Sequence, residues 1–415
     1  MPTFDEARRL ILSSVAALGV ERVGLLESLG RVLAEDVVAP WNMPFCNNSA
    51  MDGYAVRAED CREPVRLKIT DYVPAGRVPT TAVEPGCAIK IMTGAPVPAG
   101  CDAVVPVEET EETNGQVLIK EHVSPRQHVR FTGEDVRCGE KILASGMTIG
   151  PPEISMLASF GRAFVPVYRR VRVAVLSTGD ELIEVGEPIE VGKIINSNEL
   201  SLAASVKAIG AIPVLLGIGR DDRASLREKL VEGLKADVVI TSAGVSAGDR
   251  DFVRDALIDL EVKQLFWRVD MKPGGPTAFG LKDGRPVFSL PGNPVSTMVT
   301  FEELVKPALL KMMGHRRIVG PLVKAILQDT AEKKAGKIHF LRVRMERSGD
   351  TYLAYSSGDQ NTGMLKTMVR ADGIAILPAE RTSFAPGEEL SVHLLSTEVG
   401  MLDEGALQYE AEKKN

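Results

Sequence analysis

Val238-Val239-Ile240-Thr241-Ser242-Ala243-Gly244-Val245-Ser246-Ala247-Gly248-Asp249-Arg250-Asp251 joins a short β-branched apolar run to a glycine- and serine-rich stretch that ends in acids and leads into a helical pattern. A near-continuous apolar strand of this kind belongs in a buried parallel sheet. Glycines directly after it let the backbone approach an anion, hydroxyls and amides donate to that anion, and the following helix start adds favourable potential. The same order of strand, loop and helix repeats between about 171 and 320. Residues 171–176 are a β-branched run, 196–209 a helix closed by Gly210, and 212–218 a second strand. Asp222 can cap a helix bearing Leu226, Leu230 and Leu234, and 287–290 is a further strand with Pro294 placed as a first helical residue. The pattern predicts an open α/β domain. Ligands of such sheets bind beyond the carboxyl ends of the strands, so the loops starting at Ser177, Ile218, Thr241 and Leu290 should share one rim.

Outward from this domain the texture changes. Near the start, Ala7, Leu10, Ile11, Val15 and Leu18 form a helical stripe that predicts a helix from Phe4 to about Leu18, ended by Gly19. Between 47 and 146 short alternating runs such as 65–69 and 88–91, separated by Pro and Gly, predict a small β-rich domain. Residues 151–161 read as a short helix with prolines at its start and glycine at its end. It is expected to pack back on the first helix, which makes the β domain an insertion. From about Val323 alternation returns in 339–345, 374–377 and 390–394, predicting a small β-barrel or sandwich, and the polar C-terminal stretch is expected to fray.

Composition narrows the classes. The chain has 415 residues and a formal net charge of −7, so it lacks the basic balance of a nucleic-acid scaffold. No stretch approaches an unbroken membrane-spanning run, and the N-terminus enters an amphipathic pattern directly, so a cytoplasmic chain without an export signal is expected. Cys46, Cys61, Cys87, Cys101 and Cys138 are odd in number and form no C-x-x-C pair, which favours reduced, partly buried thiols. The five histidines are scattered too, with no transition-metal ligand spacing.

The rim loops carry the chemistry. Asp249 and Asp251 join Asp221-Asp222 of the neighbouring loop and Asp180-Glu181 of the first, a gathering of carboxylates that calls for a cation. Hard oxygen ligands of this kind suit Mg²⁺ bridging to phosphate oxygens. Arg268 and Lys272 lie four apart before a chain-breaking Pro-Gly stretch and are expected to turn towards one site as anion holders. Pro291-Gly292-Asn293-Pro294 forms a rigid turn at the same rim. Two turns of the β-rich domain, Asn48-Ser49-Ala50-Met51-Asp52-Gly53-Tyr54-Ala55 and Met92-Thr93-Gly94-Ala95-Pro96, read locally as structure alone.

Taken together and in this order, the segments 49–55, 93–98, 177–182, 244–251, 272–276 and 291–294 resemble the molybdopterin molybdenumtransferases, the MoeA family, which one domain of gephyrin also matches. The resemblance covers essentially the whole chain. It implies a multidomain α/β protein: a discontinuous helical linker domain (1–46 and 147–170), an inserted β-rich domain (47–146), a Mog/MoaB-like open α/β domain (171–320) and a C-terminal β-barrel domain (321–415). It further implies a homodimer whose active site crosses the subunit interface. The substrates are then adenylated molybdopterin and molybdate, the cofactor is Mg²⁺ and AMP is released. Transient contact with a Mog/MoaB-type adenylyltransferase follows as well. Family functional positions fall on Asp52, Thr93, Glu181, Asp221, Asp251, Arg268, Lys272 and Thr362. Glu181, Asp221 and Asp251 are expected to hold the metal. Gly244, Val245, Ser246, Gly248 and Asp249 are expected to hold the pterin phosphate, with Pro291, Gly292 and Asn293 beside them. The chain departs from the pattern at Ala243, Arg268 and Gly275, where the family carries glycine, lysine and, in many members, lysine. A tungstate-specific relative, a pterin adenylyltransferase and a scaffold protein are the rival readings. The flanking β domains disfavour the second, and the rim carboxylates disfavour the third.

Overall fold

A computed structural model describes residues 1–244 and 252–395. Contacts divide the chain into two compact units, one built from residues 1–34, 146–150 and 165 onwards, the other from 35–145 and 151–164.

Helix α1 (Phe4–Ser13) opens the first unit through a capping box. Thr3 Oγ1 accepts from the Glu6 amide and Glu6 Oε2 accepts from the Thr3 amide. The helix stops one turn short of Gly19. Ser13 and Ser14 both turn their hydroxyls back onto the Leu10 carbonyl, at 2.9 and 2.7 Å, and side chains that compete for backbone acceptors end helices. The chain then leaves the helical path, and the Leu18 amide donates to Met312 O.

The second unit carries a six-stranded sheet. Its strands are β1 (Gly53–Val56), β2 (Val65–Val73), β3 (Cys87–Ile91), β4 (Ala103–Pro106), β5 (Thr110–Thr113) and β6 (Gln116–Ile119), in the order β4-β1-β3-β2-β6-β5. Gly53 is obligatory at the start of β1, because a Cβ there would lie 2.0 Å from the Val105 carbonyl oxygen. Helix α2 (Pro151–Ser159) belongs to the same unit.

The first unit resumes as the α/β domain. Its elements are β7 (Arg172–Thr178), α3 (Ser197–Ala208), β8 (Ile212–Gly219), α4 (Arg223–Gly233), β9 (Val238–Ser242), α5 (Phe252–Asp259), β10 (Lys263–Phe266), the two-residue β11 (Met271–Lys272), β12 (Ala278–Lys282), β13 (Arg285–Leu290), α6 (Pro294–Thr300) and α7 (Lys306–Met312). The sheet order is β8-β7-β9-β13-β12-β10; β8, β7, β9 and β13 run parallel, β12 pairs antiparallel with β13, and β10 pairs antiparallel with β12. Both faces are covered. Val173 and Val175 enter one core with α1 and α3, and Ala174 and Leu176 enter another with α4 and α5. That two-sided burial is why these strands read as apolar runs and not as alternation. Caps expected from the sequence are in place: Asp222 accepts from the Ser225 amide at 2.8 Å, and Pro294 sits in the first turn of α6.

Beyond α7, five strands close into a barrel: β14 (Leu322–Leu327), β15 (Ile338–Ser348), β16 (Thr351–Ser356), β17 (Gly373–Leu377) and β18 (Glu389–Leu394). Their ring order is β15-β16-β14-β18-β17 and back to β15, so no edge is left within it. β11 pairs with β15 and ties the barrel to the α/β domain, and Phe340 and Ile374 share the core of α1. No helix among the described residues is long and apolar enough to cross a membrane.

Candidate active site

Strand register sets the rim. Ser177 stands opposite Ile218 and Ser242, and Ser242 opposite Leu290, so the loops leaving these strands emerge side by side. The loops after β7, β9 and β13 enclose a cleft of about 450 Å³ lined among others by Thr178, Glu181, Gly244, Pro291, Gly292 and Asn293, whereas Asp180 and Asp221 lie outside its lining. Asn198, in the first turn of α3, joins two of its walls by donating to Ser242 Oγ and to the Gly292 carbonyl, each at 2.8 Å. It carried no signal in the local sequence beyond its place near a helix start.

The loop after β7 turns sharply at Gly179 (φ +140°). A Cβ there would fall 2.3 Å from a Glu181 carboxylate oxygen, so Glu181 can fold back only over a glycine. Lys193 Nζ holds the Asp180 carbonyl at 2.8 Å, and Arg220 holds the Leu182 carbonyl at 3.0 Å. Asp180 and Asp221 exchange hydrogen bonds: the Asp221 amide donates to Asp180 Oδ1 at 3.2 Å and the Asp180 amide to Asp221 Oδ2 at 3.3 Å. Each exposed carboxylate uses one oxygen in this exchange. The other oxygen suits a hard cation such as Mg²⁺, which takes one or two carboxylates and completes its shell with phosphate oxygens and water. Among the described residues no three His, Cys, Asp or Glu side chains form a metal-holding group. The expected third ligand, Asp251, and the expected anion-loop residues Val245, Ser246, Gly248 and Asp249 lie outside the described residues.

Two of the backbone positions here depend on conformation. Gly244 has φ +74°, and a Cβ on it would meet Val253 Cγ2 at 2.1 Å; Ala243 beside it also has positive φ, +75°, with its amide on Leu290 O. Gly275 has no such constraint from φ, although a Cβ would approach Met271 O to 3.1 Å.

Arg268 and Lys272 do not converge. Lys272 lines a second, larger cavity of about 1000 Å³ against the barrel, whereas Arg268 is exposed and lines neither cavity. The four-residue spacing failed as a guide because the segment is not helical: it ends β10, bridges at Asp270 and enters β11. Thr362 lines the larger cavity with Lys272, and Asn293 Nδ2 donates to Thr362 Oγ1 at 3.0 Å, so one hydrogen bond joins the walls of the two cavities.

Sequence reading missed Arg342, which also lines the larger cavity. Its side chain is fully buried on β15; Nε donates to Thr367 Oγ1 at 2.8 Å, and Nη2 to the carbonyls of Asp359 and Asn361 at 3.1 and 3.3 Å. The guanidinium thereby holds the loop that presents Thr362. The available signal was a charged residue two positions from Phe340, on the strand face opposite the barrel-core residues Leu341, Val343 and Met345.

In the second unit, Asp52 and Thr93 meet. Asp52 Oδ1 accepts from both the amide and the hydroxyl of Thr93 at 2.7 Å, and these bonds hold the exposed carboxyl below its ordinary range. Two turns that looked purely structural are one polar pair.

Residues 174–311 match a family described as a probable molybdopterin binding domain, which sets the class of the α/β domain, preceded and followed in the sequence by β-rich regions. Residues 2–161 match the MoeA N-terminal region (domains I and II) and 324–395 the MoeA C-terminal region (domain IV); the chain belongs to the MoeA family, enzymes of molybdenum cofactor biosynthesis. Molybdopterin molybdenumtransferase 2 of Mycobacterium tuberculosis is 37% identical over 403 residues, covering 94% of this chain and 99% of that protein. A molybdopterin molybdenumtransferase of Haemophilus influenzae is 35% identical, covering 95% and 100%. The crystal structure of a molybdopterin biosynthesis MoeA protein from Pyrococcus horikoshii OT3 superposes with a TM-score of 0.82 at 33% identity, covering 95% of this chain and all of that one.

Proposed function

We propose that this chain inserts molybdenum from molybdate into adenylated molybdopterin and releases AMP. The observation that carries the proposal is the Asn293–Thr362 hydrogen bond between the rim cleft and the basic cavity, because the reaction needs a pterin nucleotide and an oxyanion held side by side. The cleft, with glycine-lined walls at the carboxyl ends of parallel strands, takes the pterin phosphate on Gly244 and the turn 291–293. Lys272 and Thr362 take the tetrahedral oxyanion, Lys272 as a point charge and Thr362 as a hydroxyl donor. Asp180, Glu181 and Asp221, with Asp251, would hold Mg²⁺. Held by these carboxylates, a divalent ion would supply charge neutralisation for the phosphoanhydride oxygens. Asp52 and Thr93 act as a pre-formed acceptor and donor pair supplied by the second copy of a homodimer, and the site is cytoplasmic. Arg268, exposed outside both cavities, serves as a steering charge for the anionic substrates.

The test is AMP release from adenylated molybdopterin in the presence of Mg²⁺ and molybdate. Asp221→Asn should lower the rate by about 100-fold through loss of metal-assisted charge stabilisation. AMP appearing at the unmutated rate removes the metal site from this reading, and a monomer in light scattering at assay concentration removes the role of Asp52.

A further inference from the structure

His339 stands directly opposite Lys272 where β15 pairs with β11, and both side chains line the barrel cavity. The cavity is strongly cationic in a chain of net charge −7: Lys272, Lys333, Lys334, Lys337 and Arg342 face it, against the acids Asp329 and Glu332. Lys333 is occupied. Its ammonium donates to the carbonyls of Lys337 at 3.0 Å and Ala379 at 3.1 Å, which fixes the turn ahead of β15. Lys272, Lys334 and Lys337 are exposed, and among the described residues none of them forms an ion pair. The imidazole of His339 is half-buried and makes no hydrogen bond among the described residues, so a polar ring is aimed unpartnered into a ring of positive charge. On the opposite side its strand neighbour is the apolar Leu377.

We propose that His339 is a further anion-recognition residue of this cavity, donating a ring N–H to a tetrahedral dianion held by Lys272 and Lys337. The inference rests on reading the cavity as the oxyanion site. Burial, and after it the charges of Lys333, Lys272 and Lys337, push the imidazole down to about 4, so the ring is neutral at physiological pH. A neutral ring among lysines adds a directional donor without adding repulsion when the site is empty. When a dianion enters, its charge offsets that of the lysines and favours a proton on the second ring nitrogen, which makes the hydrogen bond charge-assisted. Anion binding is then coupled to proton uptake at pH values above the empty-site value of about 4.

Calorimetric titration of the full-length protein with sodium molybdate at pH 6.5, in two buffers of different ionisation enthalpy, tests this. The wild type should take up protons on binding. His339→Phe should weaken molybdate binding about 10-fold or more and abolish the uptake, as expected for loss of a charge-assisted hydrogen bond. His339→Gln, which keeps an N–H donor, should recover most of the affinity without proton uptake. Parallel titration with inorganic phosphate separates the free oxyanion from a substrate phosphate as the dianion, and a His339 dependence with either supports the role. Unchanged affinity in His339→Phe, alongside weakened binding in Lys272→Ala, overturns the role of His339 and leaves the cavity's function standing. Absence of any oxyanion binding by the wild type overturns both.

Discussion

Replacing Arg342 by methionine tests how the Thr362 loop is held. The side chain is fully buried and supplies three hydrogen bonds, to Thr367 Oγ1 and to the carbonyls of Asp359 and Asn361. Methionine matches the length of the stem and removes all three. Hydrogen bonds to charged groups contribute about 1.5–3 kcal/mol each. Part of that sum is offset, because methionine also removes the several kcal/mol of desolvation that a buried guanidinium carries. The Asp359 carbonyl is left unpaired, while the Asn361 carbonyl keeps the Met364 amide at 3.2 Å, so a net loss of about 3 kcal/mol is expected in the unfolding transition that includes the barrel. For a unit of this size that corresponds to a fall in Tm of roughly 6–12 °C. Arg342→Lys should not rescue it. An ammonium cannot reach Thr367 and the two carbonyls together, and a loss of about 2 kcal/mol is expected. Local consequences distinguish this account from general destabilisation: amides of 357–362 should exchange with solvent faster than those of β14 and β18, and molybdate binding should weaken through Thr362. Thermal melting, hydrogen exchange and molybdate titration of Met and Lys variants together are the assay. A methionine variant that melts within 2 °C of wild type, with the loop equally protected, refutes the reasoning.

Two further tests address the fold under the site. Ala243 holds φ +75° where glycine would be unstrained, so Ala243→Gly should raise stability by about 1 kcal/mol in denaturant unfolding, and a loss would show that the Ala243 methyl packing outweighs the strain. Asp237 is pushed up by burial but held below its ordinary value of 3.8 by the Arg169 guanidinium and the Arg172 amide. A depressed folded value contributes stability in full above pH 3.8, and that stability is lost as pH falls through the folded value. Asp237→Asn should therefore be about 1–2 kcal/mol less stable at pH 7, discounted for the partly exposed Arg169, with the gap to wild type closing below about pH 3.8. A gap that stays constant to pH 2 would exclude the ion pair as its source.

Local chemistry was legible along the chain. The apolar runs at 171–176 and 238–240 announced strands buried on both faces, Asp222 and Pro294 announced helix starts, and period-two patterning announced both β-rich regions, because burial and capping act over a few residues. The rim was legible too, since parallel strands in register must end together. Competition was harder to read: the stripe through Leu18 ran past the true end of α1, where two serine hydroxyls take the Leu10 carbonyl.

What the amino-acid order could determine unaided was the set of elements, the shared rim of their loops and, through family resemblance, most of the candidate residues. Tertiary structure alone decided which of them face one another. Asp52 finds Thr93 across 41 residues and Asn293 finds Thr362 across 69, while Lys272 turns into the barrel cavity beside His339 and Arg268 stays outside. Such pairings depend on the assembly of the inserted β sheet for the first and on the closure of the barrel against the α/β sheet for the others, and no local periodicity encodes the direction a side chain takes once distant strands lie side by side.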